Sequence, residues 1–195
     1  MMVVRRNLYR DQRGAALVEF ALIAPVFFLL LFGLFDLGQL VYAKAVLAGA
    51  VQEAARSAAL ETADTAKADE RIREIVRLVA PDADVEPLRV GYYDFADLGR
   101  PEKWNDANGD GICNRGETYV DENRNGRWDA DIGVAGNGGA GDVIVYTVTA
   151  TYPPLFGLSL LPGGTEDRTI SASALRKNEP FADQRGYGSG AGSCA

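Results

Sequence analysis

"AALVEFALIAPVFFLLLFGLF", residues 15–35, is an apolar run of 21 residues in which Glu19 is the only charge. At about 1.5 Å per residue, a helix of that length covers roughly 30 Å, the hydrocarbon thickness of a bilayer. Arg5, Arg6, Arg10 and Arg13 precede it with a single acid, Asp11, and Asp36 follows it. That asymmetry predicts one membrane crossing, with the N-terminus cytoplasmic and the C-terminus extracytoplasmic. The run is longer than the apolar core of about 7–15 residues in a secretory signal. It also continues into a helical pattern, which argues against cleavage near Ala50. Pro25 inside it either kinks the helix or is tolerated in a membrane setting.

Beyond Asp36, Leu37, Leu40, Val41, Leu47, Ala48, Val51, Ala54, Ala55 and Ala58 recur at three- and four-residue steps, interrupted by Lys44. They predict that the helix runs on outside the membrane as an amphipathic one. "ETADTAKADE" breaks it and starts a second, short helix, with Ala68, Ile72, Ile75, Val76 and Val79 on one face and Pro81 as its stop. Strand patterns follow. Residues 85–95 form a broken one. In 142–152, Ile144, Tyr146, Val148, Ala150 and Tyr152 alternate with threonines, and 168–176 is a third. The expected fold is α+β. A long N-terminal transmembrane and amphipathic helix and a second short helix lie with a small antiparallel sheet, into which an acidic calcium-loop insertion is set. The expected division is a basic leader (1–14), a transmembrane helix (15–35), extracytoplasmic helices with the first strand (36–100), the insertion (101–141), sheet strands (142–181) and a disordered Gly/Ser-rich tail (182–195).

The whole chain carries −7. Without the leader, whose four arginines outweigh one aspartate, the rest carries −10. An acidic body argues against nucleic-acid binding. Histidine is absent, which excludes histidine catalysis and histidine zinc ligation. Carboxylates abound, but no spacing singles out a pair and no nucleophile motif appears, so no enzyme is expected.

The acidic stretch has a more specific pattern. In "DANGDGICNRGE", residues 106–117, Asp106, Asn108 and Asp110 fall at positions 1, 3 and 5 of a calcium loop. Gly111 is at 6, Ile112 offers its carbonyl at 7, Asn114 is at 9 and Glu117 at 12. Hard oxygen donors at alternate positions of a tight loop suit Ca²⁺, which is the expected structural cofactor. Residues 121–131 repeat the pattern with Asp121, Asn123, Asn125 and Gly126, Arg127 through its carbonyl, and Asp129. Position 12 is Ile132, and Asp131 is the nearby candidate to replace the missing glutamate. Only three residues separate the loops, too few for EF-hand helices. A run of metal-free Asx turns is the competing reading. Cys113 lies within the first loop as a small buried hydrophobe, as half of a disulfide with Cys194, or with Cys194 left to pair with another chain. The 81-residue separation would give an intramolecular bridge about 4 kcal/mol in the chain-entropy model.

Glu19 has its own spacing argument. If a peptidase cuts between Gly14 and Ala15, a new ammonium appears four residues before Glu19, on the same helical face. The carboxylate can then meet a mature amine in its own chain or a neighbouring one, removing two isolated charges from an apolar setting. Otherwise Glu19 snorkels to the membrane surface.

"RGAALVEF" resembles a type IV prepilin processing site. Residues 13–59, with "GAALVEFALIAP", a Leu/Phe run, "GLFDLG" and an Ala-rich helix, resemble the TadE-like family of tight-adherence (Flp) pilus pseudopilins. "RKNEPF" (176–181) is similar to an ending common in that family, with Lys177 inserted. The resemblance implies a minor pseudopilin of the bacterial inner membrane, cut by a prepilin peptidase between Gly14 and Ala15. It implies Glu19 as the assembly carboxylate, and other pilins and the pilus assembly machinery as partners. The alternative is a membrane-tethered, calcium-dependent adhesion module outside any pilus.

Overall fold

A computed structural model of the chain describes residues 14–58, 64–157, 163–180 and 182–194. All of the basic leader but Gly14 lies outside them. The first helix, α1 (Ala15–Ala58), is continuous through Pro25 and is 44 residues long. Its N-terminal half, including Leu17, Phe20, Leu22, Val26 and Leu30, is exposed along its length, and this is the apolar window long enough to cross a membrane. Its C-terminal half buries Ala43, Leu47, Ala50, Val51, Ala54 and Ala55.

That buried stripe is rotated from the expected one. Val41, Leu37 and Ala48 are exposed, whereas Ala43 and Ala50 are covered. The close approach of α2 and the sheet selects the small side chains, because alanine lets backbones come together. Lys44 lies off this stripe and is exposed, so it interrupts nothing.

Asp64 caps α2 (Thr65–Val79), its carboxylate accepting from the Lys67 N–H at 3.0 Å. The helix buries Ile72 and Val76. Strands β1 (Asp84–Tyr92), β4 (Val143–Tyr152) and β5 (Arg168–Lys177), with the two-residue β3 (Val134–Ala135), form an antiparallel sheet in the order β3-β1-β4-β5. Pro87 is tolerated within β1 because β3 reaches only Val90 and Gly91, leaving that side of the strand an open edge at the proline. On β4, Tyr146, Val148, Ala150 and Tyr152 face α1 and α2 and join Leu47, Val51, Ile72, Val76 and Ile170 in the main core. A second cluster of Tyr92, Ile132 and Val143 ties the insertion to the sheet.

Under that core, Arg89 forks onto Asp69 of α2 at 2.5 and 2.9 Å, and its guanidinium lies 4.0 Å over the Tyr146 ring. Burial raises the Asp69 carboxyl. Hydrogen bonds from Arg89 and Tyr146 outweigh that and hold it below the usual carboxylate range.

The C-terminal segment departs from the expectation of disorder. Gly190–Ser193 is a strand, β6, paired antiparallel with β2 (Thr118–Asp121). Its glycines are packing sites: a Cβ at Gly192 would run into the Tyr119 ring, and one at Gly188 into the Asp121 carbonyl. Gln184 secures the segment further by donating to the Tyr93 carbonyl and to Asp142, both at 2.8 Å. The insertion is likewise less separate than its composition suggests, since β3 within it extends the main sheet.

Candidate functional site

The two acidic loops have one backbone design. In the first, Gly109 and Gly111 at positions 4 and 6 have φ of 76° and 77°. In the second, Arg124 and Gly126 at the same positions have φ of 66° and 80°. Arg124 is the one non-glycine among the described residues with positive φ. Its guanidinium compensates by donating to the carbonyls of Gly186 and Tyr187 at 3.1 and 3.3 Å. Each opening aspartate accepts from the turn it encloses. Asp106 takes the N–H groups of Gly109 (2.7 Å), Asp110 (3.2 Å) and Gly111 (3.0 Å). Asp121 takes those of Asn125 (3.0 Å) and Gly126 (2.9 Å). Asn108, Asp110, Asn123 and Asn125 then make the successive Asx turns.

A buried glutamate closes each loop. Glu117 accepts from Ala107 N–H (position 2) at 2.9 Å and from Asn114 N–H (position 9) at 3.1 Å. In the second loop that place belongs to Glu102, which is fully buried. One of its oxygens accepts from Glu122 N–H (position 2) at 2.7 Å and from Asn123 N–H at 3.1 Å. The other accepts from Asp129 N–H (position 9) at 3.2 Å. Asp131, the expected substitute, is directed elsewhere. It accepts from Tyr92 O–H at 2.9 Å and from Gly133 N–H at 3.0 Å, and so serves the junction with the sheet. Glu102 lies 19 residues before the loop it closes, so the twelve-residue template gave no sign of it. The only available hint was a carboxylate between Pro101 and Lys103, just ahead of the first loop.

Inside the loops, the Nδ2 groups of Asn108 and Asn114 face Asp110 Oδ2 at 3.0 and 2.6 Å. Those of Asn123 (2.8 Å) and Asn125 face Asp129 Oδ2. Asp129 also receives Arg127 Nε at 3.2 Å. Among the described residues no three Cys, His, Asp or Glu side chains form a metal-holding group by themselves. In both loops the inner donors are shared between carboxylates and asparagine amides.

The insertion is rigidly held. Arg100 bridges Asp97 (2.8 Å) and Glu122 (2.6 Å). Burial raises the Glu122 carboxyl, but the Arg100 hydrogen bond and Lys103 N–H hold it below its ordinary range. Trp104 and Trp128 pack edge to face with centroids 5.4 Å apart, and Trp128 donates to the Glu102 carbonyl. Tyr187 donates to Asp97; burial and that bond push its phenol up to about 12. Cys113 and Cys194 are joined in a disulfide, with Cα atoms 5.4 Å apart, which fastens β6 to the first loop. Between the second loop and the C-terminal segment, a cleft of about 570 Å³ is lined by Tyr92, Tyr93, Arg124, Asp142 and Tyr187. Its Asp142 carboxylate is already engaged by Gly139 N–H and Gln184.

At the other end of the molecule, α1 starts at Ala15, and Gly14 supplies its carbonyl to Val18 N–H at 3.2 Å. Glu19 lies one turn in and is exposed. A long apolar helix running into a small α+β head fits a single-span membrane anchor. Residues 14–56 match the family model described as TadE-like protein, the family that residues 13–59 resemble. That family is structural and is associated with tight-adherence pili and the membrane. The match covers Gly14 and α1 as far as Arg56, and includes none of the sheet or the acidic loops. No curated protein and no solved structure matches the chain.

Proposed function

We propose that the chain is a minor pseudopilin of a tight-adherence pilus, processed by a prepilin peptidase between Gly14 and Ala15 and carrying a calcium-stabilised extracytoplasmic head. The observation that carries the reading is the 14–56 family match, whose first residue is the glycine before the proposed cut. The helix start at Ala15 agrees with it: cleavage there would remove the polar leader and leave α1 whole. Glu19 would then lie one turn from the mature amine, where neighbouring subunits in a bundle bring helices together. The N-terminus is cytoplasmic by the arginine excess before the span. Mass spectrometry of the protein from membranes of cells with an active prepilin peptidase tests the cut. A chain starting at Ala15 is expected; an intact Met1 terminus overturns it.

For calcium, the support is the shared loop design. Asp106, Asn108, Asp110, the Ile112 carbonyl, Asn114 and Glu117 would hold the first ion. Asp121, Asn123, Asn125, the Arg127 carbonyl and Asp129 would hold the second, with Glu102 as its closing carboxylate in place of Asp131. Rotating the Asn114 amide by 180° replaces Nδ2 by Oδ1 beside Asp110 and adds a hard oxygen to the set. Arg127 beside Asp129 competes with a cation and makes the second site the weaker one. Free-standing loops of this kind bind at about 10⁻⁴ to 10⁻³ M. The carboxylates turn inward onto their own backbone, which favours a structural ion over one bridging to an external surface.

A further inference from the structure

From the structure we infer that the β4–β5 hairpin tip is a second membrane contact, inserting Leu155 and Phe156 into the lipid interface beside α1. The inference rests on α1 spanning the bilayer. Asp36, the first residue after the apolar run, accepts from Leu155 N–H at 3.0 Å and from Arg168 at 2.6 Å, clamping both arms of the hairpin to the helix. Phe32 lies one turn before Asp36 on the same helical face, about 6 Å deeper into the span. The Phe156 ring packs on it with centroids 4.8 Å apart. A residue that touches Phe32 is therefore below the level of Asp36, inside the lipid boundary.

The tip has the chemistry for that depth. Leu155 and Phe156 are 53% and 41% exposed despite their contacts with α1. From Pro153 to Gly157 the sequence carries no charge. An apolar tip continuous with a membrane helix buries that area in lipid at a depth of roughly 5–10 Å, as interfacial segments do. The charged pair at its base stays at the polar level. Two contacts, one on the helix and one on the hairpin, then orient the head. β4 leads about 30 Å away from the tip, from Tyr152 to Val143, so the acidic loops are held away from the bilayer.

The test uses the full-length protein in phosphatidylcholine/phosphatidylglycerol vesicles doped with brominated lipid. Phe156→Trp and, separately, Leu155→Trp add an indole at the tip. Trp104 and Trp128 at the far end provide the wild-type baseline, and Phe27→Trp reports on the span. The expected result is loss of the added tip emission to bromine near the lipid interface, with protection from aqueous iodide. A quenched Phe27→Trp with tip indoles that resist bromine and yield to iodide overturns the hairpin contact and leaves the span standing. An unquenched Phe27→Trp overturns the span and the inference together. Tip indoles shielded from both bromine and iodide at high copy number identify a second protein chain as the cover and overturn the lipid contact.

Discussion

Glu102 stands to the second acidic loop as Glu117 stands to the first: each takes the N–H groups of positions 2 and 9 on its two carboxylate oxygens. The loops differ in where the closing carboxylate comes from. In the first it is the twelfth residue; in the second it arrives from upstream, and Ile132 in the twelfth place is free to pack with Tyr92 and Val143. One substitution thus separates the architecture from the sequence template.

Glu102→Ala should be among the most damaging changes in the head. It leaves three backbone donors, on Glu122, Asn123 and Asp129, without their acceptor, for roughly 3 kcal/mol or more in total. Asp131→Ala loses the Tyr92 and Gly133 contacts, for about 1–2 kcal/mol. On the calcium reading, Glu102→Gln lowers calorimetric stoichiometry from two ions to one, and Asp131→Ala leaves it at two. The reverse pattern would return the closing role to Asp131. Thermal melting of the detergent-solubilised chain in calcium or chelator reads both effects.

Cys194→Ser should loosen the C-terminal strand. The disulfide closes 81 residues and anchors β6, whose one sheet partner among the described residues is the four-residue β2. Loss of about 2–4 kcal/mol is expected in denaturant unfolding, matched in the wild type by reductant. Amide exchange should rise in 182–194 and around Tyr119, with little change in β4. Uniform exchange across the head would show that the bridge instead acts on the whole fold.

Legibility in the sequence followed the range of the physics. The apolar run, the α2 stripe and the alternation of β4 are local periodicities, and they were readable because burial of one face is written into neighbouring residues. The rotation of the α1 stripe was not, because choosing Ala43 over Val41 depends on what packs there. Gly188 and Gly192 look like linker glycines in a Gly/Ser-rich tail; only the nearness of Asp121 and Tyr119 turns them into packing residues. The loop ligands were legible by spacing up to the point where Glu102 enters from another segment. A twelve-residue pattern cannot contain a partner 19 residues away.

Acid should weaken the head through Asp69 and Glu122. Both carboxyls are held below their ordinary values in the folded chain, chiefly by Arg89 and Arg100 acting against burial. Their contribution is complete above the unfolded pKa of about 4 and is lost as pH falls through the lower folded values. Asp69→Asn should cost about 3 kcal/mol at pH 7, since it leaves Arg89 buried without its anion, and should flatten the decline between pH 5 and pH 3. At the alkaline end the sign reverses. Tyr92 is pushed up to about 12 by burial and by Asp131, so its contribution is intact below about 10 and lost as pH rises toward 12. Denaturant midpoints across pH read both limbs; an acid limb as steep in Asp69→Asn as in the wild type would remove Asp69 from the account.

Glu19→Ala separates pilus assembly from simple membrane anchoring. Removing a charge from an apolar helix favours insertion, so the variant should insert at least as well as the wild type. Processing at Ala15 should also persist, since Gly14 and Ala15 are untouched. If Glu19 pairs with a mature amine between subunits, its loss leaves that ammonium alone in an apolar setting, for about 3 kcal/mol. That corresponds to roughly a hundredfold fall in subunit association. Glu19→Gln should fail similarly, because the amide keeps the shape and loses the charge. Co-purification of processed protein with pili reads the outcome. Wild-type incorporation of both variants would mean that Glu19 only reaches for the membrane surface, and that the proposed ion pair contributes nothing to assembly.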